Sequence, residues 1–147
     1  MSEKQHPKLE IILSANEIEE GQLKGRLVVV IDILRASSTM ITALSNGATK
    51  IYPVEETDQA FRLVQNMDRK QVLTLGERNG VIIEGFDYGN SPLSCTPEVV
   101  GGKQLIMTTT NGTRALEYSK GAEEILVGGF LNYSAILERV EGALYQS

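Results

Sequence analysis

The sequence holds no tryptophan, one cysteine (Cys95) and one histidine (His6), and each scarcity closes off chemistry. A single thiol excludes an intrachain disulfide and a thiolate metal cage. The one imidazole lies in the polar opening segment MSEKQHPKLE, which leaves no histidine held on a scaffold for Ser-His-Asp hydrolysis, phosphohistidine transfer or a His-rich metal site. No apolar run approaches the roughly 20 residues of a spanning helix, and the opening segment has no apolar signal core, so the chain reads as cytoplasmic with no membrane partner. Basic charge is also short. The 14 Lys and Arg stand against 19 Asp and Glu, for a net charge of −5, which argues against nucleic acid, whose phosphates are held by clustered cations.

Familiar motifs fail as well. Gly102-Lys103 is followed by Gln104 with no glycine-spaced loop before it, so there is no Walker A, and no GxGxxG follows the first strands. Six residues after Cys95 stands Gly101 where a cysteine phosphatase needs arginine, and Leu34 stands where an aspartyl-phosphate enzyme would carry a second aspartate. Carboxylates, hydroxyls, arginines and a hard metal ion remain.

What is present suits an α/β fold. A chain of 147 residues is about one domain, long enough to bury roughly 70% of its unfolded surface. Strand-like runs recur at residues 8–13, 26–32, 49–54, 71–75, 81–86, 103–109 and 123–128, with helical spacing at 40–47, 55–67, 113–119 and 132–140. Gly47 is placed to end the first helix. The alternation predicts a three-layer α/β/α domain over 1–147 with a mainly parallel or mixed sheet, whose ligands sit beyond the carboxyl ends of the strands.

Three loops share one vocabulary there. The first carries Asp32, Arg35, Ser37, Ser38 and Thr39; the second is GERNG followed by EGFDYGNSP; the third is TTTNGTR, residues 108–114. Each places an arginine near a strand end (Arg35, Arg78 and Arg114), where backbone N–H groups, hydroxyls and guanidinium together suit a phosphate or carboxylate. The carboxylates Asp32, Glu77, Glu84 and Asp87 suit Mg²⁺, which takes hard oxygens and bridges to phosphoryl groups. Plainer readings exist for each part: helix capping for Asp32 and the Ser-Ser-Thr run, turns for GNSP and Asn111-Gly112, a surface ion pair for Glu77 and Arg78. Their coincidence in three loops favours a site. Cys95 reads as packing.

IDILRASST, GERNG, EGFDYGNSP and TTTNGT, in this order and spacing, resemble the 2-phosphosulfolactate phosphatase family over about residues 26–141. The resemblance implies an α/β, magnesium-dependent acid phosphatase that removes phosphate from 2-phosphosulfolactate on the route to coenzyme M. Matched position by position, Asp32, Arg35, Ser38 and Thr39 fall on the first family motif, Glu77 and Arg78 on the second, Asp87, Asn90 and Ser91 on the third, and Thr109, Thr110, Asn111 and Thr113 on the fourth. From this match we expect Asp32, Arg35, Glu77 and Arg78 to be catalytic and Asp32, Glu77 and Asp87 to ligate Mg²⁺. Ser38, Thr39, Asn90, Ser91, Thr109, Thr110, Asn111 and Thr113 are expected to line the substrate. No side chain is an obvious covalent nucleophile, and a metal-bound water is the expected attacker.

The leading expectation is thus an Mg²⁺-dependent phosphatase for a small anionic phosphoester; the alternative is a noncatalytic anion-binding or regulatory domain of the same fold. Family members continue well past the point where this sequence stops, so the 147 residues correspond to their N-terminal part and are expected to be a poor phosphatase alone. The last segment, from Leu131, carries Tyr133, Ile136, Leu137, Val140 and Leu144 as an apolar stripe open to self-association.

Overall fold

The computed structural model describes residues 8–144, which leaves His6 outside the described residues. Six strands form: β1 (Leu27–Ile31), β2 (Lys50–Pro53), β3 (Val72–Arg78), β4 (Val81–Ile82), β5 (Gln104–Thr108) and β6 (Glu124–Gly128). Five α-helices accompany them: α1 (Ala36–Ser45), α2 (Thr57–Gln65), α3 (Pro97–Val100), α4 (Gly112–Tyr118) and α5 (Tyr133–Leu144). Gly47 ends α1 as its position implies, with φ +95° and its N–H donating to Leu44 O at 3.1 Å.

The main sheet has the order β2-β5-β3-β4, parallel throughout except for β4, which returns antiparallel from β3. Alternation along its strands sends side chains to two helical layers. Leu105 and Met107 of β5 and Leu75 of β3 pack with Ala36, Met40 and Ala43 of α1. Ile106 and Val72 pack with Ala60, Leu63 and Val64 of α2 on the other side. This is the α/β architecture the sequence predicts, three layers deep around the larger sheet.

Three expectations need correction. The ladder is not one sheet: β1 and β6 form a separate parallel pair, joined to the rest through α1, which contacts β6, and α4, which contacts β1 and β2. Residues 8–13 make no strand, and Leu9, Ile11 and Leu13 are exposed. That segment is tethered by a side chain instead, Glu10 accepting from Gln22 and Arg26 at 2.8 Å each. The run 81–86 is a strand only at Val81–Ile82, because the chain turns at Gly85 (φ +85°), where Phe86 N donates to Ile83 O at 3.1 Å. The final stripe is half covered: Ile136 and Val140 are partly buried, while Tyr133, Leu137 and Leu144 are exposed. Among the described residues, no helix is long and apolar enough to cross a membrane.

Candidate active site

Because β1, β2, β3 and β5 run in parallel within their sheets, the loops that follow them carry the site. A cleft of about 280 Å³ opens there, lined by Asp32, Leu34, Arg35, Glu77, Asn79, Gly80, Asn90, Thr110 and Asn111. All three polar loops of the sequence meet in it.

Asp32 follows β1 directly and is fixed through its main chain: its N–H donates to Ser37 Oγ (2.9 Å) and its carbonyl accepts from Ser37 N (2.8 Å). Its carboxylate is given no hydrogen bond or ion pair by the described residues, and lies where a Cβ on Gly112 would come within 2.9 Å of Oδ2. Only glycine at the start of α4 allows that approach. Arg35 stands at the N-cap position of α1 without a side-chain cap bond, and its exposed guanidinium has no acidic partner among the described residues. Asn90 is 5% exposed, and its Oδ1 is the one buried side-chain oxygen or nitrogen among the described residues without a hydrogen-bond partner. Such an orphaned acceptor is rare in a folded chain.

Glu77 is placed differently. Its Oε1 accepts from Thr110 N (2.7 Å), and its Oε2 accepts from Gly80 N (2.7 Å) and Thr110 Oγ1 (3.2 Å). Partial burial pushes its carboxyl up, yet the donors at Thr110 and Gly80, with Arg78 nearby, hold it below the ordinary carboxylate range. Three of its four lone-pair positions are therefore occupied, and Glu77 joins two loops at the edge of the cleft.

Arg78 does not reach the cleft. Its guanidinium is drawn to Glu55 O, to Thr108 Oγ1 (3.1 Å) and to Glu77 O (3.3 Å), and it lines a neighbouring cavity of about 210 Å³ with Glu55, Glu56, Thr109, Thr110 and Arg114. Arg114 is likewise engaged, its Nε donating to Glu55 Oε1 at 3.1 Å. Asp87 is the clearest correction. Its Oδ1 pairs with Arg69 (2.5 Å), and its Oδ2 accepts from Thr74 N (2.8 Å) and Thr74 Oγ1 (2.9 Å). Thr74 is a buried β3 residue, so Asp87 locks the sheet and lines neither cavity.

The hydroxyls divide in the same way. Ser38 Oγ donates to Ile33 O (2.7 Å) and Thr39 Oγ1 to Arg35 O (3.0 Å), which makes them helix fasteners. Thr109 and Thr113 cap one another: Thr113 N donates to Thr109 Oγ1 (3.1 Å) and Thr109 N to Thr113 Oγ1 (3.0 Å). Ser91 does not line the cleft; Thr110 and Asn111 do. Asn79 was not singled out from the sequence. It holds a left-handed φ of +53°, followed by Gly80 at +80°, in the two-residue turn between β3 and β4. An Asn-Gly pair bounded by apolar strands is the available signal for such a turn.

Among the described residues no three His, Cys, Asp or Glu side chains gather as a ready metal cage. The cleft nevertheless offers two hard oxygens without partners, the Asp32 carboxylate and Asn90 Oδ1, and its lining sets two acids against one arginine. Mg²⁺ commonly takes one or two carboxylates and completes its shell with water and substrate phosphate, so this donor set fits it.

Comparison with known proteins gives the family. Residues 12–144 match the family model of 2-phosphosulpholactate phosphatase. Among curated relatives, a probable 2-phosphosulfolactate phosphatase of Clostridium novyi is 47% identical over 133 residues, covering 90% of this chain and 56% of that protein. Those of Caldanaerobacter subterraneus subsp. tengcongensis and Caldicellulosiruptor saccharolyticus are 53% and 50% identical, covering 82% and 84% of this chain and 50% of each relative. The chain thus spans about half the length of the curated relatives it matches. It belongs to the 2-phosphosulpholactate phosphatase family.

Proposed function

We propose that the cleft beyond β1, β3 and β5 binds a small anionic phosphomonoester, 2-phosphosulfolactate, and hydrolyses it to sulfolactate and phosphate in the cytoplasm. One observation carries the reading: among the described residues the Asp32 carboxylate, the Arg35 guanidinium and the buried Asn90 Oδ1 have no partners, and all three residues line one cleft. The names of the relatives supply the substrate.

Arg35 is the group that grips the phosphoryl oxygens, since a guanidinium offers two parallel donors to them. Asn111, which lines the cleft from the loop after β5, contributes amide donors. Asp32 and Asn90 would hold Mg²⁺, which when bound supplies the positive charge a dianionic phosphate needs in a cleft whose own lining leans negative. Asp32 is half-buried and its main chain is fixed by Ser37, which sets where its carboxylate enters the cleft. A water attacking phosphorus replaces the leaving alkoxide, which takes up a proton.

Phosphate release from 2-phosphosulfolactate, measured with Mg²⁺ and with EDTA, tests this. Release that EDTA abolishes supports the whole reading, and release that EDTA leaves intact removes the metal. A second reading is anion binding without turnover, which the unpartnered Arg35 guanidinium in the cleft would also serve. Calorimetry that finds phosphate or sulfonate binding with no hydrolysis would select it.

A further inference from the structure

We propose that Glu77 is a positioning residue: its carboxylate clasps the β3–β4 turn to the loop after β5, and so holds Asn79 and Asn111 at the cleft as contacts for the ligand. The inference rests on the phosphoester reading of that cleft and adds Asn79 as a ligand contact, together with the device that sets it and Asn111.

The two loops are far apart in sequence, Asn79 and Thr110 standing 31 positions from one another, and Glu77 joins them through both of its oxygens. Oε2 takes the Gly80 N–H of the turn and Oε1 takes the Thr110 N–H of the other loop, each at 2.7 Å. Thr110 Oγ1 closes the arrangement by reaching Oε2 (3.2 Å) and accepting from Asn79 N (3.4 Å). Each clasped residue adjoins an asparagine, Asn79 before Gly80 and Asn111 after Thr110, and both asparagines line the cleft. Neither side-chain amide has a hydrogen-bond partner among the described residues, and Asn111 does not cap α4 although it stands at its N-cap position. A neutral amide supplies donors without adding charge, which suits the sulfonate or carboxylate oxygens of a multiply anionic ester. The backbone φ of +53° at Asn79 sets where that amide emerges, and the Gly80 N–H bond fixes the turn that holds it.

Two measurements on the full chain test the proposal. In ligand-free protein, amide hydrogen exchange followed by NMR should show Gly80 and Thr110 losing protection together in Glu77→Ala, because both acceptor oxygens are gone. Unchanged protection at either amide overturns the clasp. With inorganic phosphate and 2-phosphosulfolactate as probes, Glu77→Ala should weaken binding of the sulfonated ester about tenfold or raise its KM by that factor, while the Mg²⁺ concentration for half-saturation stays as in wild type. A tenfold shift in that Mg²⁺ requirement would instead make Glu77 a metal ligand. Asn79→Ala and Asn111→Ala should each weaken ester binding in wild type and do less in the Glu77→Ala background, since residues acting as a unit are not additive. Full additivity overturns the route through these asparagines. Should Glu77→Ala fail to fold, Glu77→Asp keeps the charge but is one methylene short, and the same paired loss of protection is expected. If neither probe binds wild type, the phosphoester reading falls and takes this inference with it; if both bind and Glu77→Ala binds equally well, only this inference falls.

Discussion

Both carboxylate oxygens of Asp87 are occupied, and among the described residues neither of Asp32's is. Asp87 satisfies Arg69, the Thr74 amide and the Thr74 hydroxyl, and its carboxyl is held below the ordinary value of 3.8: burial raises it, and those hydrogen bonds and the Arg69 charge outweigh the burial. Asp32 has its backbone fixed and its carboxylate left over. Both are half-buried aspartates next to a strand, so exposure does not separate them. Hydrogen-bond bookkeeping does. A group whose capacity is consumed inside the fold serves stability, and a group held in place with capacity to spare is available to a ligand.

That contrast predicts opposite outcomes for substitutions at the two places. Asp32→Asn should lower kcat/KM for 2-phosphosulfolactate by about 100-fold or more, as loss of a charge-stabilising group in a phosphoryl-transfer site does, with the thermal midpoint little changed. An unfolded variant would place Asp32 with Asp87. Arg35→Lys keeps the charge and loses the planar fork; kcat/KM should fall about tenfold with a wild-type melting curve, and unchanged kcat/KM would put Arg35 outside the site.

Asp87→Ala should cost stability instead, about 1–3 kcal/mol by urea titration, because the buried Thr74 donors lose their acceptor, while turnover per folded molecule is kept. Its effect should depend on pH. A carboxyl held low in the folded state stabilises above its unfolded pKa, and that contribution drains away as pH falls through the folded value. The gap between wild type and Asp87→Ala should therefore be full near neutrality and narrow below about pH 4. The smallest effect belongs to Cys95, which is 1% exposed, its thiol pushed up by burial. Cys95→Ser should leave kcat/KM within about twofold and cost about 1 kcal/mol, and lost turnover in a folded protein would demand a thiol mechanism.

Much of this was legible in the chain. The apolar run of β1, the helical spacing after it and Gly47 at the helix end mark their elements because local pattern and tertiary burial agree there. Residues 8–13 have the same alternation but no strand partner, and pairing is what one segment cannot reveal. Asp32, Arg35, Asn90, Thr110 and Asn111 were named from the loops and meet in the cleft. Asp87, Arg78, Ser38, Thr39, Thr109 and Thr113 have the same chemistry but are consumed by neighbours, and which neighbours is a property of the fold. Asn-Gly occurs twice with two outcomes: Asn79-Gly80 is a hairpin turn, whereas Asn111-Gly112 opens a helix.

The separation of β1 and β6 from the main sheet bears on how the cleft keeps its width. Asp32 and Arg35 hang from one sheet while Glu77 and Asn79 hang from the other, and no main-chain ladder spans the gap. The aperture is kept by the packing of α1 and α4 across the gap, tight at Gly112, where an added methyl would stand 2.3 Å from Ala36 Cβ as well as crowding Asp32. Gly112 is the missing spacer that lets the jaws shut. A single carbon inserted there acts as a wedge, prising Asp32 away from the opposite wall while each sheet stays intact.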